Sequence, residues 1–237
     1  MYKRQPLKAL YFKEAKRFFS CFPYVMNMGV GILLMLAAVI GFAVMGVGKM
    51  ETYLGVPGAV TYFTGYMPLI IAALLSMSCT SAVSLSLEGK NLWIIQSVPV
   101  EPSAVFKAKM LFNLSLTVPS GILSGLILGI VVHADIKLML LFMFVPTAFA
   151  LFSTTFGMFI NIMMPVYEWE SETRVIKQSM SSMIGMLGGA AIPLIFLGLG
   201  ALFSIPAETT CFVSIPVILV LSFILYFRIC RAELISQ

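Results

Sequence analysis

Leu138-Met139-Leu140-Leu141-Phe142-Met143-Phe144-Val145-Pro146-Thr147-Ala148-Phe149-Ala150-Leu151-Phe152-Ser153-Thr154-Thr155-Phe156-Gly157-Met158-Phe159-Ile160-Asn161-Ile162-Met163 carries no charged side chain. It exceeds the roughly 20 apolar residues that carry a helix across a bilayer. Its apolar positions do not alternate with polar ones, so the period of a barrel strand is missing. Lipid tolerates only helices or closed barrels, because an unpaired amide there costs several kcal/mol. The stretch therefore reads as a membrane-spanning helix, with Pro146 a candidate kink.

Five more runs read the same way, giving spans at about 24–47, 62–85, 110–132, 138–163, 180–203 and 211–227. The chain of 237 residues is 60% hydrophobic and 11% charged, against about 25% charged in soluble domains. The expected fold class is all-α, a polytopic membrane protein of six transmembrane helices in residues 21–237. An amphipathic interfacial helix over 6–20 precedes them. In that helix Leu7, Leu10, Tyr11, Phe12, Phe18 and Phe19 form an apolar face, and Lys8, Lys13, Lys16 and Arg17 face anionic headgroups. Met1-Tyr2-Lys3-Arg4-Gln5 matches the translation of a transposon-end sequencing adapter. Residues 1–5 are expected to be a library scar, with the natural chain beginning further upstream. Gly121, Gly125 and Gly129 fall on one helix face, a spacing that admits close backbone approach.

Charge fixes the expected orientation. With the N-terminus inside, Lys3, Arg4, Lys8, Lys13, Lys16, Arg17, Lys90, Lys107, Lys109, Arg174, Lys177, Arg228 and Arg231 lie on the inner side. Only Lys49 and Lys137 lie outside. The inward bias of cations predicts a multi-pass protein of the cell membrane with both termini cytoplasmic. The net charge of +5 is thus a membrane pattern, and no nucleic-acid partner is expected.

No charge falls inside the six spans as drawn, which argues against a self-powered ion-coupled transporter. His133, the one histidine, has no second ligand at metal spacing. Gly46-Val47-Gly48-Lys49 lacks the residues of a phosphate-binding loop. Cys21, Cys79, Cys211 and Cys230 read as small apolar filler. No enzyme activity, cofactor or metal is expected in this chain.

Two polar interruptions remain, both cytosolic by charge. The first, Glu88-Gly89-Lys90-Asn91-Leu92-Trp93-Ile94-Ile95-Gln96-Ser97-Val98-Pro99, has the layout of a short surface helix with a Pro-bounded exit. The second holds Glu168, Trp169, Glu170, Glu172, Arg174 and Lys177, with Glu170 and Arg174 four apart as a helical ion pair worth about 0.2–0.5 kcal/mol. Two readings stand for each: docking of a cytosolic partner through Glu88, Gly89, Lys90, Trp93, Pro99, Glu168, Glu170, Glu172, Arg174 and Lys177, or solvation at the membrane surface. Ser78, Cys79, Thr80, Ser81 and Asn113 either face a transport pathway or bond helices together.

Glu88-Gly89-Lys90-Asn91-Leu92-Trp93 with Ser97-Val98-Pro99-Val100, and Trp169-Glu170-Ser171-Glu172 with Val175-Ile176-Lys177-Gln178, resemble membrane subunits of bacterial ABC-type exporters of the type-two permease class. More narrowly they resemble an exporter group with long permeases, common in Firmicutes. The opening Phe12-Lys13-Glu14-Ala15-Lys16-Arg17-Phe18-Phe19-Ser20 is similar to that group's interfacial helix. The resemblance implies a permease half, the second of two in a longer N-terminally truncated chain. Loop 88–109 would act as the coupling helix, with 168–178 as a second contact. Separate ATPase subunits would carry ATP and Mg, and a second permease half, fused or dimeric, would complete the export path. Short re-entrant helices between spans five and six are common in that class, whereas here the connection Ser204–Thr210 leaves little room for them. The alternative is a non-transporting membrane scaffold or sensor that recruits a cytosolic partner.

Overall fold

In the computed structural model, residues 5–54, 59–97 and 99–232 are described. The first four residues of the suspected scar lie outside them, as does the side chain of Lys90. Every long element is a helix, and there is no strand among the described residues. The order is α1 (Gln5–Ser20), α2 (Phe22–Met28), α3 (Val30–Leu54), α4 (Ala59–Ser76), α5 (Leu92–Ser97), α6 (Pro102–Val131), α7 (Ile136–Met163), α8 (Glu172–Gln178), α9 (Met180–Leu202) and α10 (Ala207–Cys230). The protein is an all-α, polytopic membrane protein. Five stretches are long and apolar enough to cross a bilayer, and the bent pair Phe22–Met28 with Val30–Gly46 makes a sixth when counted as one span.

The charge-free run 138–163 lies within the central helix. α7 packs on α4, α6, α9 and α10 and continues through Pro146 without a break. Its buried face, Leu141, Val145, Phe149 and Phe152, meets Tyr66 and Leu69 of α4 and Ile218 of α10. The glycine face of α6 does what its spacing predicts. A Cβ on Gly125 would collide with the Phe142 carbonyl of α7, and one on Gly121 would sit 2.8 Å from Leu75 Cδ2. Asp135 caps α7 by accepting from Leu138 N–H, which offsets one of the unpaired amides of a helix start.

Three expectations need correction. The first span is bent by 52° beside Gly29. The second span is helical only to Ser76, after which the chain runs irregularly, with 3-10 turns at Thr80–Ala82 and Ser86–Asn91. The reason is local: Ser76, Ser78, Thr80, Ser81 and Ser84 compete with the backbone for hydrogen bonds and weaken a helix. Third, α6 begins at Pro102, two turns before the apolar run, so Lys109 lies inside a spanning helix and is 1% exposed. The charge-free picture of the spans therefore fails at one end of the bundle. Between spans five and six, α9 ends at Leu202 and α10 starts at Ala207, with no re-entrant helix between.

Candidate functional site: a buried ion cluster beneath two joined polar segments

Lys109 is the centre. Its ammonium has three donors, and all three are used: Glu14 Oε1 at 2.5 Å, Glu88 Oε1 at 2.8 Å and the Ser84 carbonyl at 2.8 Å. Glu88 Oε2 accepts from Lys13 Nζ at 2.8 Å and lies 3.3 Å from a terminal nitrogen of Arg17. The other terminal nitrogen of Arg17 donates to the Leu87 carbonyl at 2.7 Å. Glu14 and Glu88 are 3% and 2% exposed. Two carboxylates thus meet three cations, and the cluster ties α1 and α6 to the irregular segment that follows α4.

The carboxylates are not equivalent. Among the described residues, Glu88 has three cations around it, while Glu14 pairs with Lys109 alone. Burial pushes the Glu14 carboxyl above the ordinary carboxylate range, against the pull of Lys109. Burial likewise raises the Cys21 thiol and the Tyr167 phenol, which lie just outside the spans.

This geometry revises the reading of α1. Lys13 and Arg17 turn toward Glu88 rather than outward, and Glu14 sits on the inner face between Tyr11 and Phe18. Tyr11 donates to Ser115 Oγ at 2.9 Å, and Phe18 meets Phe112 edge-on with centroids 5.4 Å apart. Phe12 and Phe19 remain exposed, as do Lys8 and Lys16. The apolar face of α1 is therefore split between α6 and the surroundings.

Above the cluster, two asparagines hold the irregular segment. Asn113 of α6 accepts from Thr80 N–H at 2.8 Å and from its hydroxyl at 2.9 Å, and donates to Thr154 Oγ1 at 2.6 Å. Asn161 of α7 accepts from the N–H groups of Leu85 and Ser86 at 3.0 and 3.1 Å and donates to the Ala82 carbonyl. Non-helical backbone at membrane depth survives only where protein groups satisfy it, and these two side chains supply that. Ser81 donates to the Thr154 carbonyl at 2.8 Å, and Ser78 Oγ accepts from Ile32 N–H at 2.9 Å. Ser78, Thr80, Ser81 and Asn113 are all buried. Ser78, Thr80 and Asn113 also line a small cavity of about 170 Å³ with Phe18, Met28 and Leu116.

The two polar segments meet. The Trp169 indole donates to the Ser86 carbonyl at 2.9 Å and lies flat against Gly89. Gly89 has φ 50°, and a Cβ there would stand 2.8 Å from the indole nitrogen. That left-handed backbone and that close approach both require glycine. Past this point α5 anchors Leu92 and Ile95 in the bundle and leaves Trp93 64% and Ile94 47% exposed. Pro99, Glu168, Glu170, Arg174 and Lys177 are exposed, while Glu172 is half-buried beside Cys21. α8 starts at Glu172, so Glu170 precedes it and forms no ion pair with Arg174. Val175 and Ile176 of α8 pack with Phe18, Tyr24 and Leu87.

Of the docking residues expected at the surface, Glu88 and Gly89 are the two the fold takes inside. Sequence reading missed Glu14, Lys109 and Asn161. The available signal was the acid Glu14 set among the cations Lys13, Lys16 and Arg17, and an amide near the end of an otherwise apolar run. All four cysteines are free. No group of metal-ligating side chains occurs among the described residues. No protein-family model, curated protein or solved structure matches the chain.

Proposed function

We propose that this chain is a membrane-spanning permease half of an ATP-driven exporter of the type-two ABC class, the second half of a longer permease. Its basic end faces the cytoplasm of a bacterial cell. ATP and Mg reside on separate ATPase subunits, and a second permease half completes the path for an apolar or amphipathic substrate.

The observation that carries the reading is the joining of the two polar segments at Gly89 and Trp169 above the saturated ion cluster. α5 presents Trp93 and Ile94 outward, and large exposed aromatic and aliphatic side chains suit a partner's groove. A push on α5 passes through Leu92 into the packed bundle, and through Glu88 into α1 and α6 at once. Such a rigid seat suits force transmission better than a solvated loop does. Ser78, Thr80, Ser81 and Asn113 belong to the segment that this push would move.

The test is reconstitution of the intact permease in nanodiscs with a candidate ABC-type ATPase subunit from the same genome. Trp93→Ser and Ile94→Ser should weaken ATPase binding and uncouple ATP hydrolysis from export without lowering the melting temperature. Unchanged association and coupling in the double variant would remove α5 from this role. Glu88 is unsuited to this experiment, because its loss perturbs the buried cluster.

A further inference from the structure

Between α6, α7 and α10 a cleft of about 440 Å³ opens sideways from the bundle, within the range of sites for small amphiphilic ligands. Its walls are Leu111 and Leu114 of α6, Leu151 of α7, and Leu219 and Phe223 of α10. Leu111, Leu219 and Phe223 are exposed, so the cleft faces the lipid. From Lys107 to Leu114, and from Tyr226 to Leu219, it runs about 10 Å along the helices.

The two ends differ. At the basic end stand Lys107 and Tyr226, both in the cleft wall. Lys107 is half-buried and has no carboxylate within ion-pair distance among the described residues. The contrast with Lys109, on the inner side of the same helix with all three donors used, is direct. A half-buried ammonium at the mouth of an apolar trench asks for an anion with a hydrocarbon tail.

We propose that this cleft binds one anionic phospholipid of the bilayer, its acyl chain lying along α6 and α10 and its phosphate held by Lys107 and Tyr226. The cleft contains no acidic residue to compete for the lysine. A second copy of the chain is the poorer occupant. A symmetric contact through this face would bring Lys107 toward its own counterpart, and like charges facing each other disfavour the wrong partner.

The experiment is native mass spectrometry of the full chain in detergent, titrated with phosphatidylglycerol and with phosphatidylcholine. Melting temperature serves as the check on folding. Wild type should retain one phosphatidylglycerol about fivefold more tightly than phosphatidylcholine, whose choline offsets its phosphate, the discrimination that one lysine provides toward a lipid of net negative charge. Lys107→Gln should erase that preference while keeping phosphatidylcholine binding, and Leu114→Trp, which fills the trench, should lose both adducts. Lys16→Gln, on the exposed side of α1, should change nothing. The proposal falls if Lys107→Gln keeps the preference, or if Lys16→Gln lowers it equally. It also falls if inorganic phosphate stabilises the chain as well as phosphatidylglycerol does, or if Leu114→Trp keeps its lipid or converts a dimer to a monomer.

Discussion

Replacing Lys109 by methionine tests the ion cluster directly. The side chain keeps its length and loses its charge, so Glu14 loses the one ion-pair partner it has among the described residues, while Glu88 keeps Lys13 and Arg17. Removing one member of a buried ion pair costs about 3–5 kcal/mol when the partner must stay charged. Glu14 has another route, which is to take up a proton. From the ordinary glutamate value of 4.5, protonation at neutral pH costs about 3 kcal/mol at 1.36 kcal/mol per unit. Because burial already raises this carboxyl, about 3 kcal/mol is a ceiling. For a chain of this size that corresponds to a fall of up to about 6–12 °C in melting temperature.

The sign with pH follows. In Lys109→Met the folded-state pKa of Glu14 lies above its unfolded value, so the folded protein binds a proton that the unfolded chain releases. Its stability is therefore greatest in acid and declines as pH rises from 4.5 through the raised value. The double variant Lys109→Met with Glu14→Gln has no buried acid left unpaired. It should regain most of the loss and the extra pH dependence should vanish, since exchanging a buried ion set for neutral groups is often neutral or stabilising. The assay is thermal unfolding in detergent at about pH 5 and about pH 8, followed by tryptophan emission, with Trp169 hydrogen-bonded to Ser86 beside the cluster. If the single variant melts with wild type at neutral pH, or the double variant melts lower than the single, the electrostatic account of this cluster is wrong.

Asn161→Leu should destabilise by at least about 3 kcal/mol, since three backbone groups lose a buried partner at about 1–3 kcal/mol each. Faster hydrogen exchange at Leu85 and Ser86 would locate the damage. Gly89→Ala should cost about 1–3 kcal/mol for its left-handed backbone and red-shift Trp169 emission as the indole is displaced, an effect read in a Trp93→Phe background. Gly125→Val should cost about 1–3 kcal/mol by forcing α6 from α7. In contrast Gly41→Ala, with open space where its Cβ would lie, should match wild type or gain about 0.5–1 kcal/mol from a stiffer unfolded chain. Paired melting curves distinguish the two glycines.

The spanning helices were legible because bilayer thickness sets a length that apolar runs either reach or miss. The glycine face of α6 was legible because four-residue spacing stacks on one side of a helix. What escaped was the pairing of polar groups across long sequence separations. Lys109 stood one residue before the apolar run, and hydropathy alone cannot say that a helix begins two turns earlier and turns that lysine inward. The Ser-Met-Ser-Cys-Thr-Ser run 76–81 read as part of a span because hydroxyl groups cost little hydropathy. Its departure from the helix depends on Asn113 and Asn161, whose amides replace the lost backbone bonds. Glu88 read as a surface charge because its partners sit on two other helices.

The asparagine supports also order the making of the protein. Residues 80–86 leave the ribosome before their support does, since the amide that completes their hydrogen bonding, Asn161, follows Leu85 by 76 residues. At about 5–20 residues per second that is a wait of roughly 4–15 s. Throughout it the segment carries amides that lipid would penalise by several kcal/mol each. The second span therefore cannot enter the bilayer as a finished unit. Its lower half settles only after α6 and α7 are made, which makes α7 the template on which the earlier part of the chain is completed.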